Sequence, residues 1–272
     1  MNFPRSKKDS SDVTELSRSD QGRQWSRHAA AYDDLFLDPF RPGVVNPLLA
    51  ALDAIANPEL KTIADLGCGT GPLLPYLIDK FAKVYALDFA PMMLSRAKER
   101  LGEDDSAKVH FLQKPMFELA ELENSLDVAV AVNSLVMPDV RDIDKTLLAI
   151  RASLKPGGVF LGILPSIDAI HYHTMVLMDK ALDRGLTIEE AERHAAFHAE
   201  HHYYDFALGR FAFKGLRQKF WQPFEAEFRL TKAGFRSVEL DRVLYPWDDS
   251  LAGSDELADC PRSWDWFFLA KL

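Results

Sequence analysis

The sequence predicts an α/β fold in which a parallel sheet carries helices on both faces. Three observations support that expectation. Short apolar runs recur along the chain, stretches with helical spacing lie between them, and the first run ends in a cluster of glycines. Alternation of strand and helix makes successive strands parallel, because each crossover has to pass over one face of the sheet.

Residues 1–20 are charged and serine-rich with few large apolar groups, the composition of a disordered or loosely attached arm. A single domain is expected over 21–272. An amphipathic pattern starts at Trp25 and continues through Ala29, Tyr32 and Phe36, and Leu48, Leu49, Leu52 and Ile55 mark a helix before the first strand. Strands are expected at 62–66, 83–87, 108–112, 127–132 and 158–163, with helices between them. A long insertion, 166–221, then departs from the alternation and is read as a helical lid. Within it, Thr187-Ile188-Glu189-Glu190 has the form of a capping box that opens a helix running to Tyr204. Alternation resumes with a helix over 225–233, stopped by Gly234, and with strands at 237–244 and 266–272.

The run Asp65-Leu66-Gly67-Cys68-Gly69-Thr70-Gly71 reads as a buried strand entering a tight turn. Glycine reaches positive φ and lacks a Cβ, so a ligand can lie directly on such a backbone. A helix is expected to begin just beyond, at Pro72 or Leu73. Pro72 also stands where the dinucleotide pattern G-x-G-x-x-G needs its third glycine, and no Gly-Lys-Ser/Thr follows to hold phosphate. A second acid, Asp88, closes the next strand, where doubly wound folds hold ribose hydroxyls. Two acids without a phosphate-binding lysine suit a ligand with an amine and a ribose but no phosphate. S-adenosylmethionine has that profile.

Residues from about 25 to 165 resemble a class I S-adenosylmethionine-dependent methyltransferase of the small-molecule type. The resemblance rests on Asp65 to Gly71, Ala86-Leu87-Asp88, Ala90-Pro91-Met92-Met93-Leu94, Asp127 to Asn133, and Leu154-Lys155-Pro156-Gly157-Gly158, in that order. It implies a Rossmann-like, doubly wound, mostly parallel sheet of seven strands, the seventh antiparallel, with S-adenosylmethionine as cofactor. Carried over residue by residue, it implies that Asp65 meets the methionine ammonium and that Gly67, Cys68, Gly69 and Gly71 form the backbone wall. Asp88 would accept both ribose hydroxyls, and Phe89 or Met93 would lie against adenine. Tyr32 would face the cofactor from the helix before the sheet, and Asn133 would shape the pocket. The chain departs from the family at Pro115, where an acid often binds the adenine amine; the backbone N–H of Met116, with Gln113 as a substitute partner, is left for that task. Histidines near Val136 and Met137 are missing, as is the Asn-Pro-Pro-Tyr signature of amide and nucleic-acid N-methyltransferases.

Composition narrows the partners. A formal charge of −9 and the lack of a basic block argue against nucleic acid. No apolar run reaches the length of a membrane span. Two cysteines give no disulfide framework, so a reducing cytoplasm is the expected compartment. The sequence does not set the oligomeric state.

Specificity is expected downstream. His171, His173, His194, His198, His201 and His202 all fall in the insertion, and His194, His198 and His202 share one helical face. Such a row serves a solvated or interface face, a base or substrate ligand, or a zinc site; Glu190 and Glu200 are not placed as in zincins, and no metal is assigned. Methyl transfer from a sulfonium needs alignment and desolvation, and a base only where the nucleophile is protonated. No catalytic residue is therefore assigned outright, and His198, His202 and Tyr203 are the candidates. Aromatic residues crowd 203–221 and start the loop 246–264, both leaving the sheet edge where ligands bind. Trp25, His171, His198, Tyr203, Trp221 and Trp247 are the candidate substrate contacts. Acids of the same loop, Asp248 to Asp259, suit an ammonium beside aromatic rings. The expected activity is methyl transfer to an oxygen, nitrogen or carbon of a small hydrophobic or aromatic molecule. A protein side chain as acceptor, or cofactor binding without catalysis, are the alternatives.

Overall fold

The computed structural model describes residues 23–27, 29, 37–198, 204–205, 208–213, 216–248, 251 and 254–272. The arm 1–20, Tyr32, His202, Tyr203 and the side chain of His198 lie outside the described residues. Helix α1 (Pro47–Asp53) is capped by Asn46, whose side chain accepts the Leu48 N–H at 2.9 Å. The alternation then follows as β1 (Thr62–Leu66), α2 (Leu74–Lys80), β2 (Lys83–Asp88), α3 (Pro91–Ser106), β3 (Val109–Gln113), β4 (Leu126–Val132), α4 (Val140–Ser153) and β5 (Leu154–Leu164). Helix α2 starts two residues later than Pro72, and the proline in its first turn is Pro75.

The insertion opens with α5 (Ile167–Asp183), capped by Ser166, and turns into α6 (Ile188–His198). Thr187 and Glu190 form the expected capping box: Thr187 N–H donates to the Glu190 carboxylate at 2.9 Å, and Glu190 N–H donates back to the Thr187 hydroxyl at 3.4 Å. Among the described residues of 166–221, only this half is helical. The second half forms a separate three-stranded antiparallel sheet of β6 (Tyr204–Asp205), β7 (Arg210–Phe213) and β8 (Leu216–Lys219). Alternating aromatic residues favour strands, and Gly209 at φ 61° supplies the turn. The insertion leaves and rejoins at one point, where Ser166 and Trp221 form a parallel bridge.

Helix α7 (Pro223–Ala233), β9 (Ser237–Tyr245) and β10 (Ser263–Lys271) complete the fold. The main sheet has the order β3-β2-β1-β4-β5-β10-β9. Strands β1 to β5 pair in parallel, and β10 is antiparallel to both its neighbours. Alternate strand residues serve two separate cores. Ala129, Ala131 and Phe160 face Ile143, Leu147 and Leu230 of α4 and α7. Val128, Val130, Leu161 and Ile163 face Leu48, Leu74, Leu77 and Leu94 of α1, α2 and α3. Each such Val, Leu, Ile or Phe side chain contributes about 1.5–3 kcal/mol on burial, which fixes the strand register because a one-residue slip would exchange the faces. Among the described residues, no helix is long and apolar enough to cross a membrane.

Candidate functional site

Strand β1 delivers Asp65 to the carboxyl edge of the sheet, and the chain turns away through Gly67–Gly71. The turn is tied to β2, because the N–H groups of Gly67 and Cys68 both donate to the Leu87 carbonyl, at 2.7 and 2.9 Å. Arg100 on α3 holds its far side by donating to the Thr70 carbonyl at 3.0 Å. Gly67, Gly69 and Gly71 have φ values of 73°, 55° and 75°. They are glycines for different reasons. A Cβ on Gly71 would stand 2.9 Å from Ala97 Cβ, and one on Gly67 would stand 2.4 Å from Ser134 Cβ. A Cβ on Gly69 would meet nothing within 4 Å. Gly69 alone of the three presents open space for a ligand; the other two let the turn pack on its own protein.

Two buried acids line this turn. Asp88 is 7% exposed and accepts the N–H groups of Gly69 at 3.1 Å and Ala90 at 2.8 Å. Burial pushes its carboxyl up to about 6, against the pull of those backbone donors. Asp65 is 2% exposed and is pushed to about 7, by burial first and then by the charge of Asp88. Neighbouring buried carboxylates are costly to ionise together, and a cation between them relieves that cost. Cys68 is buried between them, and burial followed by both acids raises its thiol well above the ordinary range, making it an unreactive wall.

A second polar cluster lies farther along the same edge. Asn133, at the end of β4, has φ 48° and donates from Nδ2 to Asp265 Oδ2 at 3.3 Å. Tyr245 at the end of β9 donates its hydroxyl to the same oxygen at 2.8 Å, and Ser166 N–H donates to Oδ1 at 3.1 Å. The reversed direction of β10 makes this possible, since it brings the start of that strand to the edge where the parallel strands end.

Residues 63–158 match a family model described as a methyltransferase domain. The matched region contains the glycine turn and both buried acids. Over those residues the chain is similar to a methyltransferase domain. It is 32% identical over 137 residues to the malonyl-[acyl-carrier protein] O-methyltransferase of Acetivibrio thermocellus, covering 50% of this chain and 45% of that one. Magnesium-protoporphyrin O-methyltransferase of Rhodobacter capsulatus is 34% identical over 85 residues, covering 31% and 37%. The chain thus spans less than half the length of these two relatives. Among solved structures, the Haloferax volcanii partner of the Trm112 methyltransferase activator has a TM-score of 0.60 at 19% identity, covering 93% and 96%. An S-adenosylmethionine-dependent methyltransferase of Mesorhizobium loti has a TM-score of 0.53 at 18% identity, covering 83% and 97%. These two show the shared fold.

The methyltransferase cradle fits its cofactor on two counts visible in the structure: the open backbone at Gly69 and the two acids short of a cation. Met93 is buried beside Ala90, and Trp25 packs on both. Trp25 therefore stands beside the start of α3. Phe89 follows Asp88 at the same edge, and Met116 reaches Gly67, its Sδ 3.4 Å from where a Cβ would be. Trp221 is no substrate contact. It is 1% exposed in the core, and its indole N–H donates to the Leu135 carbonyl at 2.8 Å. His171 is exposed on α5. Trp247 is half-buried, 5.3 Å from the His173 ring and 6.5 Å from that of Tyr172, which lies 5.4 Å from Trp264. His194 Nε2 lies 3.2 Å from Glu256 Oε2 and 3.0 Å from Arg184. No metal-binding group of three His, Cys, Asp or Glu occurs among the described residues. Sequence reading missed Asp265 by starting the strand at Trp266. Its signal was a single acid inside the apolar run Ser263-Trp264-Asp265-Trp266-Phe267-Phe268.

Proposed function

We propose that the protein transfers a methyl group from S-adenosylmethionine to an oxygen, nitrogen or carbon of a small hydrophobic or aromatic molecule. The observation that carries the substrate class is the aromatic group Tyr172, Trp247 and Trp264. It is gathered from α5, the segment after β9 and the start of β10, at the sheet edge beyond the cofactor cradle. Flat apolar walls of this kind bind planar molecules through area and ring contacts.

When bound, S-adenosylmethionine supplies an electrophilic methyl group on a sulfonium. The protein's own residues hold and align. Asp65 receives the ammonium, Asp88 the ribose hydroxyls, and Gly69 lets the ligand sit on the backbone, while Trp25 and Met93 close the adenine side. The aromatic group excludes water and orients the acceptor, and alignment of this kind is the main contribution an enzyme makes to such a transfer. Purified protein incubated with tritiated S-adenosylmethionine and a panel of aromatic phenols, amines and acids should label at least one acceptor. Trp247→Ala should raise KM for that acceptor about tenfold and leave cofactor affinity within twofold. Labelling confined to protein substrates would overturn the small-molecule reading.

A further inference from the structure

The cluster around Asp265 has a chemical bias that the cofactor does not account for. Asp265 Oδ1 holds one donor, Ser166 N–H, and has lone-pair capacity left. Asn133 turns its amide nitrogen to the Asp265 carboxylate, since the opposite orientation would set oxygen against oxygen. Its Oδ1 is therefore aimed away, and this atom is buried with no hydrogen-bond partner among the described residues. A buried acceptor left unpaired is costly, and a native site that keeps one has a use for it. Tyr245, 1% exposed, spends its hydroxyl hydrogen on Asp265 and offers none to a ligand. Asn133 also adjoins Ser134, whose hydroxyl donates to the Leu66 carbonyl at 2.7 Å beneath the glycine turn. The cluster thus borders the cradle on the side of β4 and β5, where Asp265 and Asn133 Oδ1 offer acceptors.

We propose that Asp265 and Asn133 form the recognition site for the hydrogens of the methyl-accepting group, so that the substrate is a hydroxyl or an amine and not a carboxylate. The proposal rests on the reading of the protein as a small-molecule methyltransferase and narrows it. An ammonium gives one proton to the Asp265 carboxylate and, as the amine, donates its remaining hydrogens to Asp265 and Asn133 Oδ1, which turns the freed lone pair toward the cofactor side; a hydroxyl donates its one hydrogen to Asp265, which takes that proton as the methyl is transferred. A carboxylate brings no hydrogen and meets a like charge. Asp265 is pushed upward by burial, against the donors Tyr245, Ser166 and Asn133, as befits an acid awaiting a partner.

Binding distinguishes the cases without turnover. Calorimetry on protein saturated with S-adenosylhomocysteine should give affinities for benzylamine or catechol at least tenfold above that for benzoate. Asp265→Asn should lose that preference, and Asn133→Ser should weaken the favoured probe at least fivefold, with the Kd for S-adenosylhomocysteine within threefold in both. Benzoate binding as tightly as the better of the other probes in the wild-type protein overturns the proposal, and that measurement needs no variant. An unchanged preference in a folded Asp265→Asn also overturns it. Wild-type protein that binds S-adenosylhomocysteine but neither binds these probes nor labels any small acceptor overturns the functional reading, and this inference with it.

Discussion

At the scale of single residues, the cradle separates two jobs that the sequence writes with the same letter. Gly71→Ala places a methyl 2.9 Å from Ala97 at φ 75°. The left-handed backbone costs roughly 1–2 kcal/mol and the overlap about 1–3 more, so this variant should melt several degrees lower. Gly69→Ala bears only the backbone cost, yet its methyl enters ligand space. It should keep most of its stability and lose at least tenfold in cofactor affinity, which thermal melts and calorimetry would separate. The acids give a further test. Asp65 and Asp88 titrate near 7 and 6 in the folded chain and near 4 when unfolded. The cofactor-free protein therefore binds more protons than the unfolded chain between about pH 4 and pH 7, and these two groups cost it stability as pH rises through that window. An ammonium beside Asp65 holds the carboxylate ionised and removes the penalty. The rise in Tm on adding S-adenosylmethionine should grow between about pH 5.5 and pH 8. An equal rise at both would exclude Asp65 as its partner. The glycines and acids were legible because their chemistry is local: an apolar strand, then positive φ, then an acid one strand later.

At the scale of elements, strands with continuous apolar runs and helices with clear apolar spacing were readable even where their pairings are long-range, whereas a small sheet of local hairpins was not. The capping box Thr187–Glu190 is four consecutive residues, and it formed as read. The small sheet β6-β7-β8 was hidden because its aromatic residues fit a helix face or a strand equally well until Gly209 turns the chain back. The helical hairpin α5–α6 is fastened to the segment before β10 by Glu256, which lies 2.8 Å from Arg184 and 3.2 Å from His194. Burial alone would raise the Glu256 carboxyl, but the hydrogen bonds from Arg184 and His194 outweigh it and hold the group below its ordinary range. A partly exposed pair of this kind is worth at most about 1 kcal/mol, so Glu256→Gln should hardly move Tm. Its effect should be local. Hydrogen exchange at 254–260 should quicken several-fold while cofactor affinity stays unchanged, and exchange identical to wild type would show that other contacts hold the segment.

At the scale of the whole molecule, the proposed function divides the sheet edge between two partners. The β1–β2 side carries the acids and the open glycine, and its motifs lie within 30 residues of one another. The β5–β10–β9 side carries the aromatic group and the acceptor cluster, whose members come from positions 133, 166, 245 and 265. No spacing rule links those positions. They meet because β10 runs backwards between β5 and β9, in the register that sets Trp266 beside Leu164 and Ser263 beside Tyr245. That reversal also orders events in time. Asp65 and Asp265 are 200 positions apart in the chain, so at about 5–20 residues per second a ribosome releases the second roughly 10–40 s after the first. Throughout that interval a nascent chain has the residues proposed to grip the methyl donor, while the cluster beside β5 still lacks its carboxylate. Under the proposed function, chemistry on the acceptor waits until the reversed strand has been made and has paired with β5 and β9.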